Sequence, residues 1–164
     1  MGNIATGLKD EMIIIPLENG TYKIEIPDWQ GRLFHNLVEE IKGFIENKGN
    51  PLANLLFPVA YQNDEAANIE YDSLTHEDLL QSHLSALKTL VEVSETEIDE
   101  VPEETLLQIM QAVNILRLAL GTRLEIRDED DPSAITENHP DYNLWLIYHL
   151  LGENLSIIVD SISE

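Results

Sequence analysis

The chain has 164 residues, and its 9 Lys and Arg against 31 Asp and Glu produce a formal net charge of −22. That length fits one domain, and 43% hydrophobic residues supply enough apolar surface for a packed core. A surface this acidic repels nucleic-acid phosphates, so we expect no nucleic-acid partner. The absence of cysteine excludes disulfides, thiol catalysis and cysteine zinc sites, and it favours the cytoplasm.

The first predicted element is a β-hairpin over about residues 12–26, which follows a flexible amino-terminal segment over residues 1–10. Asn19-Gly20 stands between two runs rich in β-branched residues, and this pair suits the positive φ angles of a tight turn. Pro16 cannot donate a hydrogen bond to a sheet, so the first strand is expected to lie at an edge or to end there. Residues 1–10 lack the charge and hydropathy pattern of a signal peptide, so we do not expect secretion.

From residue 28 onward the hydrophobic period changes from 2 to about 3.6, which predicts helices. The expected long helices cover about residues 28–47, 75–93, 102–121 and 140–162, with shorter helical segments near 52–59 and 64–71. A sequence resembling a capping box, Thr75-His76-Glu77-Asp78, marks the expected start of the second helix. Carboxylates crowd residues 92–104, and their mutual repulsion is expected to keep much of that connection solvated.

The fold class predicted from these elements is mainly α. We expect a single helical domain over residues 11–164, built as a bundle of about four long helices plus short helices, with a small amino-terminal β-hairpin. The helix over 102–121 is apolar on nearly every side, which predicts that it is the central and most buried one. No apolar run approaches the ~20 residues that cross a bilayer, so no membrane partner is expected.

The sequence contains none of the common catalytic motifs. The chain has no GxxxxGK[ST], GxGxxG, HExxH or GxSxG, and no Glu is followed three residues later by His, the pattern of di-iron helical bundles. We therefore predict no catalytic residues and no cofactor, and the sequence favours a non-enzymatic protein without deciding the point.

The five histidines and the acidic runs do not form a metal-ligand pattern. His76 and His83 are separated by about 10 Å along a helix, too far for both to ligate one ion directly. His83 and His149 are expected beside apolar faces, and His139 is expected to cap a helix. Residues 128–131 are all acidic, but Pro132 interrupts the ligand spacing of a calcium loop. We predict no metal site.

Arg117 is the residue that most needs explanation, because it lies within an otherwise apolar helix. Its guanidinium is expected to find a partner, and two alternatives stay open. The first is a salt bridge that fixes helix packing, and the second is an anchor for an anionic ligand or a partner's carboxylate. Arg123 and Arg127 would extend that basic spot, whereas Trp145 and Tyr148 are expected in the core or at its rim.

Around Arg117 the sequence reads LRLALGTRL over residues 116–124, and Asp130-Asp131-Pro132 follows. These stretches resemble the actinobacterial family catalogued as domain of unknown function number two thousand and seventeen. The resemblance extends from about Tyr22 over nearly the whole remaining chain; its other matching stretches are LTHEDL over 74–79, PVAY over 58–61 and YNLWL over 142–146.

The resemblance implies that a binding site, if the family has one, includes Arg117, Thr122, Arg123 and Asp131, together with Gly121. The structural alternative is that Gly121 ends or kinks a helix while Arg117 pairs with Asp131 or a neighbour. Members of the family are commonly encoded beside the ClpS adaptor of the Clp protease, which implies a role near regulated proteolysis.

These observations lead to one main functional hypothesis and two rivals. The main hypothesis is a cytoplasmic, acidic, non-enzymatic protein-interaction or adaptor-like module with a basic protein partner, able to form a homodimer. The alternative is a metal- or anion-binding helical bundle, which could be an enzyme, with Arg117 and Arg123 holding an anion and His83 or His149 an ion. The third is an acidic mimic of nucleic acid.

Overall fold

A computed structural model describes residues 11–45, 65–124 and 138–163 of the chain. The elements in chain order are β1 (Ile13–Pro16), β2 (Thr21–Glu25), α1 (Asp28–Ile45), α2 (Glu65–Glu95), β3 (Glu100–Pro102), α3 (Glu103–Leu124) and α4 (Tyr142–Ser163). The predicted fold class is confirmed, since long helices form most of the described structure. The expected segments over 1–10 and 52–59 lie outside the described residues.

The amino-terminal hairpin forms as predicted. Strands β1 and β2 are antiparallel, with Ile14 opposite Ile24, and a four-residue loop over 17–20 joins them. Gly20 has a φ of 86°, which glycine adopts at no steric cost, and its amide donates to the carbonyl of Leu17 at 3.1 Å. Strand β1 ends at Pro16 and lies at one edge of the sheet in the described residues, in agreement with the proline's missing donor.

A third strand, β3, was not predicted. It pairs antiparallel with β2, placing Val101 opposite Tyr22, so the sheet order is β1-β2-β3. Val101 is 2% exposed, and burial of its side chain anchors the end of the acidic connection. Residues 96–100 are exposed, so the expectation of a solvated connection holds for its middle, while its carboxyl end joins the sheet.

Helix α2 is longer than the sequence pattern indicated. It begins at Glu65, so the separate helices expected near 64–71 and 75–93 form one continuous element, and the predicted helix start at Thr75 is wrong. No Gly or Pro interrupts residues 65–75, and extending an existing helix by one residue is easier than nucleating a new one. A capping-box pattern within such a stretch therefore does not start a helix.

Helix α3 is the central helix, as predicted. It packs against α2 on one side and α4 on the other, and it also contacts α1, β2 and β3. Its buried residues are Leu106, Ile109, Ala112, Val113, Ile115, Leu116 and Leu120. The helix continues past Gly121 to Leu124, so the glycine does not end it.

Helices α1 and α4 complete the bundle on the two sides of this centre. Helix α1 packs on α2, and α4 packs on α3 and β1. At the start of α4, the carbonyl of Asp141 accepts the amide of Trp145 at 2.9 Å, and the ring Nδ1 of His139 accepts the Asp141 amide at 3.0 Å. The His139 ring thus bonds an amide just before α4, and its carbonyl accepts the amide of Tyr142, the first residue of that helix, at 3.1 Å. None of the helices in the described ranges combines the length and hydropathy needed to cross a bilayer.

Candidate functional site

Arg117 points from α3 toward α4, where it lies over an aromatic ring. Its guanidinium carbon is 4.5 Å from the centroid of the Tyr148 ring, a distance that defines a cation–π contact. Its Nε atom is buried and has no hydrogen-bond partner among the described residues. Among those residues no carboxylate pairs with Arg117 either. Of the two alternatives, a salt bridge of Arg117 is not formed among the described residues, where the guanidinium contacts Tyr148 instead.

Two glycines make room for this pair. A Cβ atom at Gly152 would lie 3.3 Å from Arg117 Nε, and a Cβ atom at Gly121 would lie 3.2 Å from Tyr148 Cε1. Gly121 follows Arg117 by four residues, and Gly152 follows Tyr148 by four, so each glycine shares a helix face with its large neighbour. The large side chain of each helix thus lies over the glycine of the other. This arrangement was not predicted, because its only signal in the sequence is the matching i, i+4 spacing.

Further aromatic side chains extend the contact along α4. The Trp145 and Tyr148 rings are stacked with centroids 5.7 Å apart, and His149 meets Trp145 edge-on at 4.5 Å. Trp145 is buried, as expected for a core residue, whereas His149 is exposed. These rings hold the Tyr148 face in position beneath the guanidinium.

Of the remaining predicted site residues, Thr122 and Arg123 do not join Arg117. The Thr122 hydroxyl donates to the Leu118 carbonyl within α3 at 3.0 Å. Arg123 Nη1 lies 2.9 Å from Glu40 Oε1 on α1, in an exposed ion pair. Arg117 and Arg123 therefore face different helices and do not form one anion site. Asp131 and Arg127 lie outside the described residues.

The histidines have separate surroundings. His83 Nδ1 lies 3.1 Å from Gln111 Nε2, and His35 Nδ1 lies 2.8 Å from Glu95 Oε1. His149 packs against Trp145, as described above. Within residues 11–45, 65–124 and 138–163, no group of three His, Asp or Glu side chains is placed to hold a metal ion.

A concave surface lined by carboxylates lies where the β2–α1 connection meets the end of α2. We name it the acidic groove; it has a volume of about 230 Å³. Its floor includes the buried Ile24 and Val93, and its wall includes the exposed Ile98. Four exposed carboxylates line it, from Glu25, Asp28, Glu97 and Asp99. The acidic connection is evident in the sequence, but the contribution of Glu25 from the hairpin and Asp28 from α1 to the groove was not predicted.

The fold defines a small helical protein in which a three-stranded sheet covers part of a four-helix bundle in the described chain. The family model described as Domain of unknown function (DUF2017) matches residues 16–162, and the chain belongs to that family. The resemblance inferred from the residues around Arg117 is thereby confirmed. No curated protein and no solved structure shows a significant match to the chain.

Proposed function

We propose that the protein is a non-enzymatic, adaptor-like interaction module that binds a basic segment of a partner protein in the acidic groove. The observation that carries this proposal is the groove's unbalanced charge. None of its four carboxylates has a cationic partner among the described residues, although Glu39 and Glu40, elsewhere on α1, make such pairs. Lys or Arg side chains of a partner would supply the missing charge.

The groove also offers apolar contacts, which distinguish a peptide from a simple cation. Ile98 is 46% exposed in its wall, and Trp29, which follows Asp28 in α1, is 40% exposed. Exposed aromatic and aliphatic side chains beside charged ones are common anchors in protein interfaces. A segment that combines Lys or Arg with an aliphatic residue therefore matches the groove better than a polycation does.

The net charge of −22 adds long-range attraction for such a segment. That attraction is screened over a Debye length of about 10 Å at 0.1 M salt, so association should slow as salt is added. We also propose that this interaction is linked to Clp-type proteolysis. It makes purified ClpS one protein to test as the partner, alongside synthetic basic peptides.

The test is fluorescence anisotropy with a labelled twelve-residue peptide of alternating Lys and Leu at low salt. Replacing two groove carboxylates together, Glu97→Gln and Asp99→Asn, should weaken binding by about 10-fold or more, since each charge near 4 Å contributes about 1 kcal/mol in water. The matched control removes the exposed carboxylates of Asp78 and Asp160, on α2 and α4. It should change affinity by about twofold at most.

Equal losses in the two double variants would show that net charge, not the groove, attracts the peptide. The absence of saturable binding to wild type would contradict the proposal outright. ClpS is assayed in the same way, and binding that is insensitive to the groove variants would place its contact elsewhere.

A second candidate function, anion binding, is favoured by one observation, the buried Nε of Arg117 without a hydrogen-bond partner in the described chain. Thermal unfolding with sulfate, phosphate or acetate tests it. Sulfate and phosphate stabilise most proteins nonspecifically, so the informative quantity is the difference between wild type and Arg117→Ala. An anion that stabilises wild type alone would support this candidate, and equal responses would remove it.

A further inference from the structure

A second cavity, separate from the acidic groove, lies where the chain enters β1 beside α1 and α4. Its volume is about 370 Å³, within the range of about 300–1,000 Å³ that small-molecule sites occupy. It shares no lining residue with the acidic groove. We name it the amide cavity, after the side chains of Gln30 and Asn154 in its wall.

These two amides are almost completely buried. Gln30 is 0% exposed and Asn154 is 1% exposed, and Asn154 Nδ2 donates to Gln30 Oε1 at 3.4 Å. That is a long hydrogen bond, and burying an amide costs free energy unless its bonding capacity is used. A primary amide has two N–H donors and a carbonyl acceptor. Among the described residues the bond to Gln30 is the one that Asn154 makes, so its carbonyl oxygen is available to a donor in the cavity.

The rim of the amide cavity is acidic. Glu11 and Glu153 both line it and are both exposed, and neither pairs with a cation in the described chain. These carboxylates and the Asn154 carbonyl oxygen are all hydrogen-bond acceptors, and two of the three are charged. The ligand that this wall fits is therefore a donor with positive charge.

Apart from the exposed Ser156, the rest of the wall is apolar. Met12 is buried, and Leu150 and Ile157 are half-buried on the α4 side of the cavity. We propose that the amide cavity binds a small primary ammonium compound with an aliphatic body, the ammonium group at Asn154 and the carboxylates, and the chain on these apolar side chains. This proposal does not depend on the acidic groove or on its partner.

The experiment uses the full chain and hexylamine, which is positively charged at pH 7, as the probe. Uncharged 1-hexanol and the anion hexanoate serve as chemical controls of similar length. Two-dimensional ¹⁵N NMR follows the side-chain amide resonances of Asn154 and Gln30, which report directly on the cavity. Hexylamine should shift both resonances saturably, 1-hexanol should bind more weakly, and hexanoate should leave them unchanged.

The variant that tests the rim is Glu153→Gln, at an exposed position where the substitution should not disturb folding. It should raise the dissociation constant for hexylamine about fivefold at low salt, the effect of about 1 kcal/mol for one ion pair. Glu97→Gln, in the acidic groove, removes the same charge and should leave this constant within about twofold.

Three results would overturn the inference: no saturable shift of the two amide resonances, equal binding of hexylamine and hexanoate, or equal weakening by Glu153→Gln and Glu97→Gln. The last would show that hexylamine responds to the net charge alone. Because the readout is the amide cavity itself, none of these results depends on whether a basic peptide occupies the acidic groove.

Discussion

The guanidinium carbon of Arg117 lies 4.5 Å from the centroid of the Tyr148 ring, and this contact joins α3 to α4. An arginine in a chain with a net charge of −22 is expected to pair with a carboxylate. Among the described residues, however, Arg117 contacts an aromatic face and no carboxylate. Its weakly hydrated planar group can stack on a ring, which a lysine ammonium cannot do. In this chain Arg117 therefore contributes a contact to the interface between α3 and α4.

Replacing Arg117 with alanine should lower the free energy of unfolding by about 1–2 kcal/mol, because both the cation–π contact and the packing of the aliphatic stem are lost. For a chain of this size that corresponds to a fall in melting temperature of about 2–8 °C. Thermal unfolding by circular dichroism measures it. Arg123→Ala, which removes an exposed ion pair with Glu40, should change stability by less than about 1 kcal/mol.

Substitutions of Tyr148, the residue that Arg117 contacts, distinguish the contribution of the aromatic ring from that of the hydroxyl. Tyr148→Phe keeps the ring and should stay within about 0.5 kcal/mol of wild type, whereas Tyr148→Leu removes it and should cost about as much as Arg117→Ala. Combining Arg117→Ala with Tyr148→Leu should cost less than the sum of the single changes. Additive losses would show that the contact contributes nothing to stability.

Two glycines of α1 should respond to alanine in opposite ways. A Cβ at Gly43 meets nothing within 4 Å, so Gly43→Ala should stabilise the protein by about 0.5–1 kcal/mol through helix propensity. A Cβ at Gly31 would lie 3.0 Å from the backbone oxygen of Ser94 and 3.3 Å from its Cβ. Backbone cannot move aside as a side chain can, so Gly31→Ala should destabilise by about 1–3 kcal/mol.

Urea unfolding of the two variants measures the difference, and each is the other's control because both lie in the same helix. If Gly31→Ala is as stable as Gly43→Ala, the close approach of α1 to α2 at Gly31 does not restrict the side chain at that position. The outcome matters for the acidic groove, since Ser94 lines it at the end of α2.

The parts of the fold that the sequence predicted are those with local signals. Asn19-Gly20 between alternating residues indicated the hairpin, and the helical period indicated α1, α3 and α4. Strand β3 was not predicted because Glu100–Pro102 is too short to show a period, and because the pairing of Val101 with Tyr22 joins residues about half the chain apart. Local patterns carry no information about a contact of that kind.

The contacts of the candidate site could not be predicted from local sequence patterns either. The sequence singled out Arg117 as a residue in need of a partner, but the partner, Tyr148, lies on another helix and is not acidic. Glu25 and Asp28 belong to the acidic groove only because β2 and α1 meet the end of α2. The buried pair of Gln30 and Asn154 gave no sequence signal, since polar residues on amphipathic helices are usually exposed.

The acid sensitivity of the sheet should depend on Glu100. The Thr21 hydroxyl donates to Glu100 Oε2 at 2.6 Å and the Asn19 amide donates at 3.2 Å, and these bonds lower the pKa of Glu100 below its ordinary value of 4.5. A lowered folded-state pKa contributes stability above the unfolded value, and this contribution disappears as pH falls through the folded value. The loss of stability that comes from protonation of Glu100 is therefore confined to pH below about 5.

Thr21→Val keeps the β-branched shape and removes the donor. The pKa of Glu100, followed by NMR of its carboxyl carbon, should rise toward 4.5, and the fall in urea midpoint between pH 5 and lower pH should become shallower. Glu25→Gln, on β2 and with no side-chain hydrogen bond among the described residues, should leave that slope unchanged. An unaltered Glu100 titration in Thr21→Val would disprove the assignment of the hydroxyl as the cause.

The last prediction concerns the buried amides of Gln30 and Asn154, which bridge α1 and α4. Replacing either by leucine of similar volume leaves the other amide buried, which should cost about 1–3 kcal/mol. Replacing both removes the polar pair together, so the double variant should be more stable than the sum of the single losses predicts, by about 0.5–3 kcal/mol. Urea unfolding of the four proteins in this cycle measures the coupling, and strict additivity would show that the 3.4 Å bond carries no energy. A double variant as stable as wild type would mean that the amides are not retained for stability, which is the result expected if they serve a ligand in the amide cavity.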